Sequence, residues 1–217
     1  SALPQAAAAG ARVIYGAGPS LANLRDGSYL AGAPEYGLMN AAAVQLAHHY
    51  GVPIYNSAGL TDSKASDIQT GYEKAFSIAQ STLAGADFVH HAAGMLESMA
   101  TISYEQYVID NEILGMAKRM AGGIDMSVLD ESVDAITRTG PGGNYLMDDL
   151  TLERMRTEAY QPTISNRDSR RDWEQAGRPE LAQTARQRAL EILADAEPPG
   201  LDPDLDADIR ERFPIEC

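Results

Sequence analysis

The chain has 217 residues, 44% of them hydrophobic, which is enough for one domain with its own core. Its 17 basic and 31 acidic residues give a formal charge of −14, which disfavours nonspecific binding to nucleic acid or to an anionic membrane surface. The single cysteine, Cys217, excludes an internal disulfide and a cysteine metal cluster, and no apolar run of about 18 residues marks a transmembrane helix.

The opening stretch, SALPQAAAAG, lacks the basic region and apolar core of a signal peptide, so a soluble cytoplasmic domain is expected. Ala6–Ala11 reads as the remnant of a helix whose upstream partner is absent, which suggests a fragment of a larger body. Residues 12–16 form a short apolar run punctuated by Gly16, Gly18 and Pro19, a strand ending in a loop. Pro34 suits the first turn of the next helix and Glu35 its positive end, with Leu38, Ala42, Leu46 and His49 giving the period up to Gly51. Residues 52–56 are the second strand candidate, although Pro53 removes a ladder donor. Ser66 with Gln69 matches a capping box, and Ile68, Tyr72, Phe76, Ala79 and Leu83 continue that helix. The third strand is expected at 87–91, followed by helices over 103–121 and near 127–138.

Strand and helix alternate three times, with helices long enough for right-handed crossovers between parallel strands. No dinucleotide fingerprint follows the first strand and no P-loop is present. Polar residues gather after strands instead, as on the active face of a (β/α)8 barrel. A complete barrel takes about 250 residues, so this chain is expected to supply part of one. Residues 1–147 carry 14 acids and 7 bases and read as barrel layers. Residues 148–217 carry 17 acids and 10 bases and read as a charged helical extension. Within that extension, Trp173 beside Arg167, Arg170 and Arg171 is expected to clamp the tail onto the body. Residues 198–216, with aspartates at 202, 204, 206 and 208, read as a solvated terminal helix.

Asp62 and Lys64 place opposite charges in the loop after the second strand, where a ligand would meet them. Glu97 follows the third strand beside Met95 and Met99. These methionines either fill core gaps or line a pocket for methyl groups, and a carboxylate against apolar walls suits a substituted ammonium. Glu97 is otherwise a paired rim carboxylate. Asp67 is explained by its place in a helical first turn, and Glu73 and Lys74 read as surface or structural residues. His90 and His91, adjacent on a strand, are expected to face opposite sides of the sheet and so to make a poor metal site. No metal ligand set is identified. On helix 103–121, Glu105 and Glu112 share a face with Ile109 and Met116. The turn around Gly142, Gly143 and Asn144 lacks the lysine and hydroxyl of a nucleotide loop, but its glycines admit a backbone or a bulky planar cofactor.

Several of these blocks occur in an order that resembles the C-terminal half of the trimethylamine methyltransferase (MttB-like) family. They are Gly32–Glu35, Gly59–Lys64 with Asp67–Lys74, Gly94–Ser98, Asp110–Glu112 and Gly140–Gly143. The stretch from Arg154 to Glu158, then Arg167, Arg170 and Trp173, continues the resemblance, which covers nearly the whole chain from Arg12. It implies a TIM-barrel-derived α/β fold and an enzyme that moves a methyl group from a methylamine or betaine to the corrinoid of a partner protein. Archaeal members carry pyrrolysine; every position here, including Asn56–Gly59, holds an ordinary residue, which points to the bacterial type. Asn144–Asp149 replaces a histidine-bearing stretch expected in relatives. Under this reading Asp62 and Glu97 meet the cationic nitrogen, Lys64 a substrate carboxylate, Met95 the methyl groups, and Gly142, Gly143 and Asn144 the corrinoid. Open barrel edges would be covered by self-association. The alternatives are a barrel enzyme that processes amines without a corrinoid, and a noncatalytic binding or assembly domain.

Overall fold

The computed structural model describes residues 2–196 and 200–213, so Cys217 and both ends of the expected helix 198–216 lie outside the described residues. After the short helix α1 (Ala2–Ala7), a parallel three-stranded sheet is built from β1 (Tyr15–Gly16), β4 (Ile54–Ser57) and β5 (Phe88–His90), in the order β1-β4-β5. Tyr15 pairs with Ile54, and Ser57 with His90. The expected strands are therefore present and parallel, each shorter than its apolar run. Pro53 is tolerated because it lies just before β4 and contributes only its carbonyl, which accepts from Tyr15 N at 2.7 Å. Asp87 performs the matching task beside β5, its carboxylate accepting from Ile54 N at 2.9 Å.

Two antiparallel hairpins accompany the sheet and were not anticipated: β2 (Leu21–Ala22) with β3 (Tyr29–Leu30), and β6 (Met95–Leu96) with β7 (Thr101–Ile102). Paired segments of two residues are too short to show alternation. The whole is a mixed α/β fold, a small parallel sheet with surrounding helices, and no closed barrel forms among the described residues.

The helices start where capping chemistry places them. Helix α2 (Pro34–His49) has Pro34 and Glu35 in its first turn and two histidines in its last. Helix α3 (Ile68–Ala84) is capped by Asp67, whose carboxylate accepts from Thr70 N at 2.9 Å, so Asp67 and not Ser66 is the cap. Gly85, at φ 90°, ends it. Ser103 caps α4 (Tyr104–Ala121) through Gln106 N.

The buried faces differ from those the apolar periods mark. Helix α2 buries Tyr36, Asn40, Ala43, Val44 and Ala47, leaving Leu38 64% exposed. Helix α3 buries Thr70, Lys74, Ser77, Ile78 and Ser81, while Ile68, Tyr72, Phe76 and Leu83 lie outside. The inversion is possible because most of the inward polar groups have dedicated partners: Thr70 Oγ1 donates to Ala65 O, and Ser77 Oγ accepts from Gly59 N. Ile54 packs with Ala43, Val44 and Ala47, so helices cover one sheet face. The other face presents Tyr55, with Phe88 61% exposed.

The remaining helices are α5 (Leu129–Thr139), α6 (Asp149–Arg154), α7 (Arg170–Gln175), α8 (Leu181–Asp195) and α9 (Pro203–Arg212). The tail is not held by Trp173, whose indole donates to Pro179 O at 3.1 Å and stacks under Arg170 within its own segment. It is held by α8 packing on α4, by Arg119 bonding to Glu158, and by Glu112 accepting from Thr163 N and Oγ1 at 2.9 and 2.7 Å. Glu112 of the expected carboxylate pair is thus a buried tether for the extension.

Candidate functional site

The three parallel strands deliver their loops to one edge, and two of those loops interlock. The loop after β4 turns at Gly59, where φ is +76° and an added Cβ would lie 2.9 Å from the Ala92 backbone. The loop after β5 turns at Gly94, where φ is +81° and an added Cβ would strike the Tyr107 ring. Only glycine combines that conformation with that clearance. Glu97 N then donates to Ser63 O at 2.7 Å and Ser98 N to Thr61 O at 2.8 Å, joining the loops backbone to backbone.

Buried charge supports this junction from below. Lys74 and Asp110, both fully buried, form an ion pair of 2.7 Å. Lys74 also donates to Gly59 O, and Asp110 accepts from Gly94 N and Gln106 Nε2, each at 2.7 Å. Burial pushes the Lys74 ammonium below and the Asp110 carboxyl above their ordinary values, against their mutual attraction. Glu73 accepts from Thr61 Oγ1 at 2.6 Å, Asp62 N at 2.9 Å and Gln69 Nε2 at 2.8 Å. Glu73, half-buried, and Lys74, fully buried, are therefore structural groups, the second of the two readings their sequence positions allow.

The structure brings Asp62, Lys64, Met95 and Glu97 onto these two loops, in unequal states. Asp62 Oδ1 accepts from Ala31 N at 2.8 Å and from Ser98 Oγ at 2.5 Å, fastening the β2–β3 hairpin to the rim. Lys64 is exposed, its ammonium folded back on Asp62 O at 2.7 Å. Met95 packs against the buried cluster of Ala31, Tyr36 and Leu60. Glu97 is exposed, and among the described residues its carboxylate accepts from Thr101 Oγ1 at 3.1 Å. Glu97, Ser98 and Met99 follow one another at φ 50°, 50° and 78°, a left-handed run of non-glycine residues. Such backbone is costly and persists only where its surroundings hold it, here through the bonds to Thr61, Asp62 and Ser63.

Gly142, Gly143 and Asn144 do not join this group. Gly142 has φ +74°, Gly143 fits against the Thr139 carbonyl, and Asn144 Oδ1 accepts from Leu146 N at 2.9 Å, so the turn itself uses all three. No hydrogen bond or ion pair ties them to the rim among the described residues.

Adjacent histidines supply the main surprise. The His90 and His91 rings lie 3.9 Å apart, centre to centre, and so do not face opposite sides of the sheet. The strand ends at His90, and His91, at φ 62°, is turned onto the same side. Alternation applies only while the backbone stays extended. Ser57 Oγ and His91 Nδ1 share a hydrogen bond of 3.0 Å, and Tyr55 meets His90 edge-on at 4.7 Å. Burial, then the neighbouring His91, holds His90 below the ordinary histidine value. Among the described residues no group of three or more His, Cys, Asp or Glu could hold a metal ion.

A parallel α/β sheet whose polar groups collect beyond the carboxyl ends of its strands has the layout of α/β enzymes that bind small molecules. The family model "Trimethylamine methyltransferase (MTTB)" matches residues 1–213, and the chain belongs to that family. It is 38% identical over 208 residues to the glycine betaine methyltransferase of Desulfitobacterium hafniense (strain Y51), covering 96% of this chain and 43% of that protein. It is 35% identical over 210 residues to the trimethylamine methyltransferase MttB of D. hafniense (strain DSM 10664 / DCB-2), with 96% and 42% covered. To the trimethylamine methyltransferase MttB2 of Methanosarcina mazei it is 36% identical over 209 residues, again with 96% and 42% covered. The chain thus spans less than half the length of these relatives. No described helix is long and apolar enough to cross a membrane.

Proposed function

We propose that this chain forms part of a corrinoid-dependent methyltransferase, taking a methyl group from a small methylated amine or betaine and passing it to a corrinoid protein. The observation that carries this reading is the exposed Glu97 carboxylate, held on a strained backbone at the carboxyl edge of a parallel sheet in a member of this family. We read the fold as TIM-barrel-derived, with residues 1–147 as barrel material and 148–217 as a helical extension packed on the same domain. The apolar stripe of Ile68, Tyr72, Phe76 and Leu83 outside α3 supports association with a further copy or chain.

The corrinoid, carried by its partner protein, supplies the nucleophile that accepts the methyl group. This chain's own work is to bind, orient and dry the donor. A quaternary nitrogen offers no proton, so attraction rests on charge and on aromatic faces. Glu97 meets the cation, and the rings of His90 and His91, where β5 ends, offer aromatic faces on the same sheet edge. Asp62 acts at one remove, fixing Ser98 and the hairpin. Lys64 can swing from the Asp62 carbonyl to a betaine carboxylate, at the cost of one exposed hydrogen bond.

The test incubates an enzyme containing this chain with a reduced corrinoid protein and a panel of trimethylamine, glycine betaine and related betaines, reading methyl arrival by absorbance. Transfer from at least one donor is expected. Failure across the panel, with a known enzyme active alongside, would reject the reading and favour the noncatalytic alternative. Glu97→Gln should lower kcat/KM; a change within about twofold would return Glu97 to a structural role.

A further inference from the structure

The Lys74–Asp110 pair is poorly explained by stability alone. Two charges removed from water lose solvation that their attraction only partly restores, and apolar replacements of similar size commonly hold a fold as well. What apolar side chains cannot do is fix a backbone group in direction. Each member of the pair does that at a turn bearing no side chain of its own: Lys74 on α3 holds Gly59 O, and Asp110 on α4 holds Gly94 N, both at 2.7 Å. Gly59 begins the loop that carries Asp62 and Lys64, and Gly94 begins the loop that carries Glu97. The same 2.7 Å contact that joins the charges therefore joins the origins of both loops. Farther out, the loops meet through Glu97 N to Ser63 O and Ser98 N to Thr61 O, with Ser98 Oγ on Asp62 and a longer Ser66–Ser103 hydroxyl contact at 3.5 Å.

We propose that Lys74 and Asp110 are positioning residues for the rim, setting the Asp62 loop and the Glu97 loop in one fixed relation so that the left-handed run Glu97–Met99 is sustained. The proposal deepens the methyl-transfer reading and rests on it for the ligand, while loop placement can be measured without any reaction.

The experiment compares the 217-residue chain with its Lys74→Met/Asp110→Leu variant by thermal melting and by amide hydrogen exchange. The variant should melt close to the parent, and α8 should exchange at the parent's rate. Segments 59–64 and 94–103 should exchange about tenfold faster, as local opening becomes easier. Parent-like exchange in both loops, in a variant that melts normally, would overturn the proposal. If the variant does not fold, Gln106→Leu decides: it keeps both charges and removes only the amide that steadies Asp110 Oδ1. Faster exchange confined to segment 94–103 would support the proposal, and unchanged exchange there would overturn it. An enzyme that moves no methyl group would leave both outcomes readable.

Discussion

The two ends of the small sheet are held together by different forces. At the amino end Ile54 packs with Ala43, Val44 and Ala47, flanked by Tyr15, Val52, Ala84 and Ala86, a largely apolar cluster with the Asp87 carboxylate on Ile54 N at its margin. At the carboxyl end the interior is filled by Asn40, Asn56, Thr61, Lys74 and Asp110, all nearly or fully buried, beside the small cluster of Ala31, Tyr36 and Leu60. Apolar contact is indifferent to direction and tolerates small shifts, whereas a hydrogen bond fixes both partners. One end supplies cohesion, and the other supplies placement for the rim loops.

The largest expected effect breaks the carboxyl end. Lys74→Met alone leaves Asp110 buried without a counter-charge and should cost about 3–5 kcal/mol in denaturant unfolding. A loss below about 1 kcal/mol would mean that the carboxylate is neutral there or reached by water. The amino end should answer to volume instead. Ile54→Ala should cost about 2–5 kcal/mol and Ile54→Val about 0.5–1.5 kcal/mol, in proportion to the methyl groups removed. Equal costs would show that this cluster is not the packed core described.

Smaller changes sharpen the contrast. Asp67→Ala should cost about 1 kcal/mol, because Thr70 N loses its acceptor at the start of α3; Asp67→Ser should recover most of it. The smallest effect is on pH. His90 has a folded pKa below 6.5, chiefly through burial. Its contribution to stability is therefore present above pH 6.5 and lost as pH falls through the folded value. Melting temperature should dip slightly on acidification, and His90→Asn should flatten that dip. The imidazole titration should move only part way back in His91→Asn, since burial is the larger cause.

Much of the frame is legible in the sequence. Pro34 with Glu35 and the expected bounds 103–121 mark helix ends closely, and the order of the three parallel strands and the helices between them follows. The faces are not legible. Ile68, Tyr72, Phe76 and Leu83 form a sound apolar period, yet the opposite side of α3 is buried, because Lys74 and Ser77 bond to the Gly59 turn and Lys74 also to Asp110 on α4. Periodicity counts apolar residues and cannot count partners that lie 15 to 36 positions away in sequence. The site is legible to the same degree. Asp62, Lys64 and Glu97 are readable as loop charges after strands. The engagement of Asp62 with Ser98, the close approach of the two histidine rings and the left-handed run depend on backbone angles that no residue type announces; Glu97, Ser98 and Met99 are ordinary residues in a conformation reserved mostly for glycine.

Titration of the isotopically labelled chain with glycine betaine, followed through backbone amide shifts, tests most directly whether the carboxyl rim is the ligand site. Saturable shifts should concentrate at Lys64, His91, Glu97 and Ser98 and leave the amino-end cluster around Ile54 unmoved. Shifts confined to the cavity of about 410 Å³ bordered by Pro162, Arg167, Leu181 and Thr184 would contradict it, as would no shift at any concentration.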